Sequence, residues 1–169
     1  MAARVVVIDT SLMCCWLQVA GKETAGSGED VWDYNKVDEL IRNRVAAGAT
    51  LVLPMATLIE TGNHVAQAPH SRYEKATSLM EHLIRSVDSS NPWAAFGDQD
   101  GLWEADKIRE LVIAWPALAA QRMSIGDATI KSVADYYSVA GLEVEIATAD
   151  VALKAYEPRK PVVQPRRRR

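Results

Sequence analysis

The chain has 169 residues, 49% hydrophobic and 24% charged, which suits one domain whose core buries roughly two-thirds of the unfolded surface. No apolar run approaches the roughly 20 residues of a membrane span, and Met1 to Ile8 lacks the ordered regions of a signal peptide, so neither is expected. The net charge of −3 conceals an asymmetry: residues 159–169 hold six basic groups and no acid, leaving 13 basic against 22 acidic residues elsewhere.

Arg4 to Ile8, RVVVI, reads as a strand buried on both faces. It leads into Asp9-Thr10-Ser11, a run of helix-capping residues, and then Leu12, Met13, Trp16, Leu17 and Ala20 at helical spacing. Gly21 to Asp30 is polar and glycine-rich, a flexible loop. Val37, Leu40, Ile41 and Val45 mark a second helix closed by Gly48. Thr50 to Leu53 is a short strand stopped by Pro54, and Met55 to Val65 and Ser71 to Val87 are helical. Asp88 to Asp100 is predicted to be a loop. Glu104 to Ala114 is helical, with Pro116 kinking or ending it. Ser124 to Ala140 forms a helix closed by Gly141, Glu143 to Ala147 a third strand, and Asp150 to Tyr156 starts a last short helix.

Strands alternating with helices predict a helix-rich α/β domain with a short parallel sheet covered on both faces. The domain is expected over residues 1–157, with insertions at 21–33 and 88–103. Residues 158–169 form a Pro/Arg-rich tail, either a solvated appendage or a phosphate-attracting arm. The adjacent Cys14 and Cys15 make neither a disulfide framework nor a zinc pattern and read as small buried apolar residues. A reducing cytoplasm fits them best.

Ligands of such folds bind beyond the carboxyl ends of the strands. Asp9 follows the first strand directly, and Glu60 lies on the helix after the second. Asp127 stands in the first turn of the helix before the third strand, and Asp150 three residues beyond that strand. Converging carboxylates repel, by roughly 4 kcal/mol at 4 Å and an effective dielectric near 20. Either some of them take up protons or a divalent cation lies between them. An all-oxygen set favours Mg²⁺ or Mn²⁺, whose waters provide a nucleophile for phosphodiester hydrolysis. Each acid alone has a plainer reading. Asp9, Asp127 and Asp150 are plausible helix caps, Ser124 to Asp127 having the capping-box spacing, and Glu60 reads as an ordinary exposed helix residue.

Taken together, VVVIDTS around Asp9, LPMATLIETGNHVA around Glu60, SIGDATIKSVA around Asp127 and EIATAD around Asp150 resemble the PIN domain, a family of metal-dependent ribonucleases. The resemblance spans roughly residues 4 to 156. It implies a three-layer α/β/α sandwich and an acidic pocket for one or two Mg²⁺ or Mn²⁺ ions. Asp9 and Asp127 would be the central ligands, completed by Glu60 and Asp150, with Thr10 and Thr148 bonding a ligand carboxylate or a metal water. It further implies an endoribonuclease, the toxin of a VapBC-type toxin–antitoxin pair being the leading setting, with RNA as substrate, an antitoxin protein as partner and a homodimer as the expected assembly. The alternatives are a non-catalytic PIN-fold module binding RNA or protein, and a PIN nuclease of RNA processing or defence. Greater length, the two insertions and the arginine tail depart from the compact toxin pattern.

An acidic pocket acting on a polyanion needs basic groups around it. Lys131 and Arg166, Arg167, Arg168 and Arg169 are the candidates, with Arg42, Arg44 and Arg122 more distant; Lys131 equally suits an i,i+4 pair with Asp127. Trp93 and Trp103 are placed to stack on unpaired bases or to anchor packing, whereas Trp16, Trp32 and Trp115 read as core or interface residues. His64, His70 and His82 are too scattered for zinc, although His64 shares a helix face with Glu60.

Overall fold

A computed structural model describes residues 4–159. Three parallel strands form its centre: β1 (Arg4–Ile8) in the middle, β2 (Thr50–Val52) on one side and β3 (Glu143–Ala147) on the other. Val6 pairs with Leu51 and with Glu145. The helices are α1 (Thr10–Leu17), α2 (Tyr34–Ala46), α3 (Met55–Gln67), α4 (Arg72–Val87), α5 (Ala105–Ala120), α6 (Ile125–Val139) and α7 (Val151–Lys154), with a 3-10 segment over Phe96–Trp103.

Alternation along β1 divides the core. Val6 and Ile8 pack with α1, α2 and Leu79 of α4, while Val5 and Val7 pack with Ile130, Val133 and Tyr137 of α6 and Leu153 of α7. Successive side chains of a strand point to opposite faces, so helices cover the sheet on both sides. A continuous apolar run such as RVVVI suits only such a doubly covered position.

β3 is different. Val144 and Ile146 enter the core beside α6, whereas Glu143 and Glu145 meet arginines. Arg4 holds Glu143 at 2.7 Å, and Arg44 of α2 reaches Glu145 through two bonds of 2.5 and 3.1 Å. The outer edge of β3 is closed by side chains of the following turn. Glu157 accepts from the Ile146 amide at 2.8 Å, and Lys154 donates to its carbonyl at 2.9 Å. Such covering removes a free sheet edge.

The segment predicted to be the 88–100 loop has structure of its own. Leu51 donates to the Pro92 carbonyl and accepts from the Ala94 amide, both at 2.8 Å, so this segment runs parallel to β2 and covers its free edge. Trp93 is buried there, within an aromatic cluster with Trp16 and His82. It packs the core and is not available to stack on bases. The segment expected to be a flexible loop at 21–30 is likewise pinned, by reciprocal bonds between Ala25 and Trp32.

Two helix limits differ from the sequence reading. α1 stops at Leu17 because Gln18 adopts a left-handed conformation and its amide caps the Cys14 and Cys15 carbonyls. α5 passes through Pro116 and ends at Ala120. Proline removes one amide donor, here the partner of the Val112 carbonyl, and α5 buries no residue, with Val112 itself exposed. Among the described residues no helix is long and apolar enough to cross a membrane.

Candidate active site

The carboxyl end of β1 delivers Asp9 to the first turn of α1, where it caps the helix. Its Oδ2 accepts from the Ser11 amide (3.2 Å), the Ser11 hydroxyl (2.6 Å) and the Thr148 hydroxyl (2.8 Å). Thr148 follows β3 and accepts in turn from the Asp150 amide at 2.9 Å, while the Ser11 hydroxyl accepts from the Ala149 amide at 3.0 Å. This network locks the exits of β1 and β3 together. Only 4% of Asp9 is exposed. Oδ1 takes no bond from any described residue, and Asp9 lines a pocket.

Glu60 comes from α3, which is fastened to the sheet by Thr57 donating to the Ile8 carbonyl at 2.7 Å. Thr10 donates to Glu60 Oε2 at 2.9 Å. The other oxygen lies against Gly126 at the start of α6, where a Cβ would stand only 2.0 Å from Oε1. Glycine is the residue that admits so close an approach. Asp127 follows, its amide bonded to the Ser124 hydroxyl at 3.0 Å in the expected capping arrangement. Its pKa is raised, foremost by burial and further by the charges of Asp9 and Asp150, against the lowering effect of Ser124. Asp150 caps α7 through bonds from the Ala152 and Leu153 amides. The capping readings of Asp9 and Asp150 therefore hold, whereas α6 is capped by Ser124, which accepts from the Asp127 amide.

Asp9, Thr10, Glu60, Asp127 and Asp150 line one pocket of about 360 Å³, together with Ser11, Cys14, Lys22, Thr24, Ala25 and His64. Thr148 is buried and supports Asp9. None of the four acids has a lysine or arginine within ion-pair distance among the described residues. The donor chemistry, carboxylates and hydroxyls, suits a hard divalent cation. Among the described residues, however, no three acid, histidine or cysteine side chains form a group drawn tightly enough to hold a metal ion by direct contact. The two observations are compatible for Mg²⁺, which dehydrates reluctantly and keeps several waters when protein-bound. Burial pushes the Cys14 thiol up to about 12, which leaves it protonated and unsuited as a nucleophile.

Lys131 is not part of this pocket. It pairs with Asp135 at 2.6 Å, one turn onward and away from Asp127, and lines a larger, mainly apolar groove of about 530 Å³ between α5 and α6. Trp103 lines that same groove. Neither the i,i+4 pair with Asp127 nor a place beside the acids is realised for Lys131. Arg166, Arg167, Arg168 and Arg169 lie outside the described residues. Sequence reasoning missed Lys22 and Thr24, because the polar composition of their segment reads as loop and nothing local connects it to the acids. His64 was legible through its spacing from Glu60. No family model, curated protein or solved structure matches this chain.

Proposed function

We propose that this chain is a divalent-metal-dependent endoribonuclease of the PIN type, with Asp9, Glu60, Asp127 and Asp150 as its acidic centre. The observation that carries the reading is the meeting of four acids from four distant segments in one pocket, without a salt bridge among the described residues. Structural acids are ordinarily paired or dispersed, and an unpaired acidic cluster in a cleft, with the pKa of Asp127 raised, points to chemistry. The three-strand parallel sheet, with its acids beyond the carboxyl ends of β1 and β3, supports the same reading.

A divalent cation bound there supplies Lewis-acid stabilisation of charge on the phosphodiester and lowers the pKa of a water. The protein's own contribution is orientation. Three donors saturate Asp9 Oδ2 and leave Oδ1 without a bond from the described residues. Thr10 and the absence of a side chain at Gly126 fix Glu60 between α1 and α6. Asp127 is half-buried beside Asp9 and Asp150, whose charges and its own burial raise its pKa, a cost that a bound divalent cation would relieve. Hydrolysis of RNA by a water fits this arrangement, and the toxin of a VapBC-type pair, silenced by its antitoxin, is the biological setting we favour.

The test is incubation of purified protein with a mixed RNA pool and Mn²⁺ beside Asp9→Asn. Asparagine keeps an oxygen for the three donors, so the variant is expected to fold and to lose at least about 100-fold in cleavage. Equal cleavage by both proteins overturns the site. The lack of a direct-contact metal group among the described residues favours a second reading, a PIN-fold module that binds RNA or protein without cutting it. That reading expects no stabilisation by Mn²⁺ and no cleavage.

A further inference from the structure

We propose that Lys22 is a substrate-binding residue that holds a phosphate of single-stranded RNA at the rim of the acidic pocket. This rests on the nuclease reading above and names the cation which that reading requires. A polyanion approaching four carboxylates is repelled unless fixed positive charge meets it near the site. Lys131 is paired elsewhere. Lys22 is the only lysine or arginine among the described residues that line the pocket, and it has no acid within ion-pair distance among them.

Its placement is built into the fold. The Lys22 amide donates to the Val19 carbonyl at 2.8 Å, and Gly21, at φ 83°, turns the chain just before it. Beyond it, the Ala25 and Trp32 bonds of 3.0 and 2.8 Å close the segment, and both residues pack against the core. The backbone of the lysine is therefore held at the pocket wall, and the residue is exposed with no ion pair among the described residues. An ammonium so placed has three donors for phosphate oxygens. Carboxylates and a lysine lining one pocket match the two demands of a phosphodiester: a site for a hard cation and a contact for the anionic chain.

The test measures binding of a labelled single-stranded RNA across a salt series, in an Asp127→Asn background that is expected not to cut. Lys22→Ala is expected to weaken binding about fivefold, and to make the slope of log K against log salt shallower by about 0.7, the value for one phosphate contact on a single strand. Lys22→Arg is expected to restore both. Unchanged affinity and slope in Lys22→Ala overturn the assignment, while the nuclease reading stands if the wild-type protein still cuts RNA. Wild-type protein that neither binds nor cuts RNA overturns both. A changed affinity with an unchanged slope also overturns it, since that would be a structural effect and not a lost phosphate contact.

Discussion

Gly126→Ala separates the geometry of the acidic pocket from the stability of the fold. The backbone at Gly126 is helical, so alanine is compatible with its conformation. The added Cβ would stand 2.0 Å from Glu60 Oε1 and 3.0 Å from Cδ. Ordinary contact begins at 3.4 Å, so the carboxylate must retreat by about 1.4 Å. Its bond from Thr10 is then lost or weakened, at about 1 kcal/mol. Alanine returns up to about 1 kcal/mol over glycine inside a helix, and less in the first turn. These terms nearly cancel, so the melting temperature is expected to stay within about 4 °C of the wild type. Displacement of a catalytic group by about 1 Å costs on the order of 100-fold in rate. The assay is cleavage of a defined RNA with Mn²⁺ beside thermal melts in chelator. Wild-type cleavage would refute the role given to Glu60. A loss of stability beyond about 3 kcal/mol would show that the glycine serves packing instead.

Mn²⁺ is expected to raise the melting temperature of the wild-type protein, by the equivalent of about 2.7 kcal/mol at a hundredfold excess over Kd, and to leave an Asp9→Asn/Asp127→Asn double variant unmoved; equal melting curves of the wild type with and without Mn²⁺ speak for the binding module. The raised pKa of Asp127 means that the native state holds this proton more tightly than the unfolded chain. In metal-free protein the ionised group therefore lowers stability at neutral pH, a cost recovered as pH falls through its native pKa, and Asp127→Asn should remove that part of the pH dependence in urea melts. His82 behaves in the opposite sense. Burial depresses its pKa from 6.5 to about 4, so stability is lost as pH falls from 6.5 towards 4. Allowing for its partial exposure, we expect this loss to be about 2 kcal/mol. His82→Phe should abolish it, and a His82 resonance titrating near 6.5 would contradict the assignment.

Local pattern determined most of the elements. RVVVI could be satisfied only between two helical layers, and Ser124, Asp9 and Asp150 announced the helices they cap, because capping is a contact within a few residues. Asp9 and Asp150 were legible from their places just beyond β1 and β3, whereas Glu60 and Asp127 joined the set only through the motifs that surround them. The edge pairing of Pro92 to Ala94 on β2, the burial of Trp93 and the turn of Lys131 towards Asp135 were not. An irregular segment carries no period from which a partner remote in the chain can be inferred, and a lysine between two acids at helical spacing has no local reason to choose one. The tertiary structure alone decided that Gly126 leaves room for Glu60 and that Lys22 stands at the pocket wall. Both are distances between segments remote in the chain, set by how the helices pack on the sheet and not by any preference of the residues themselves.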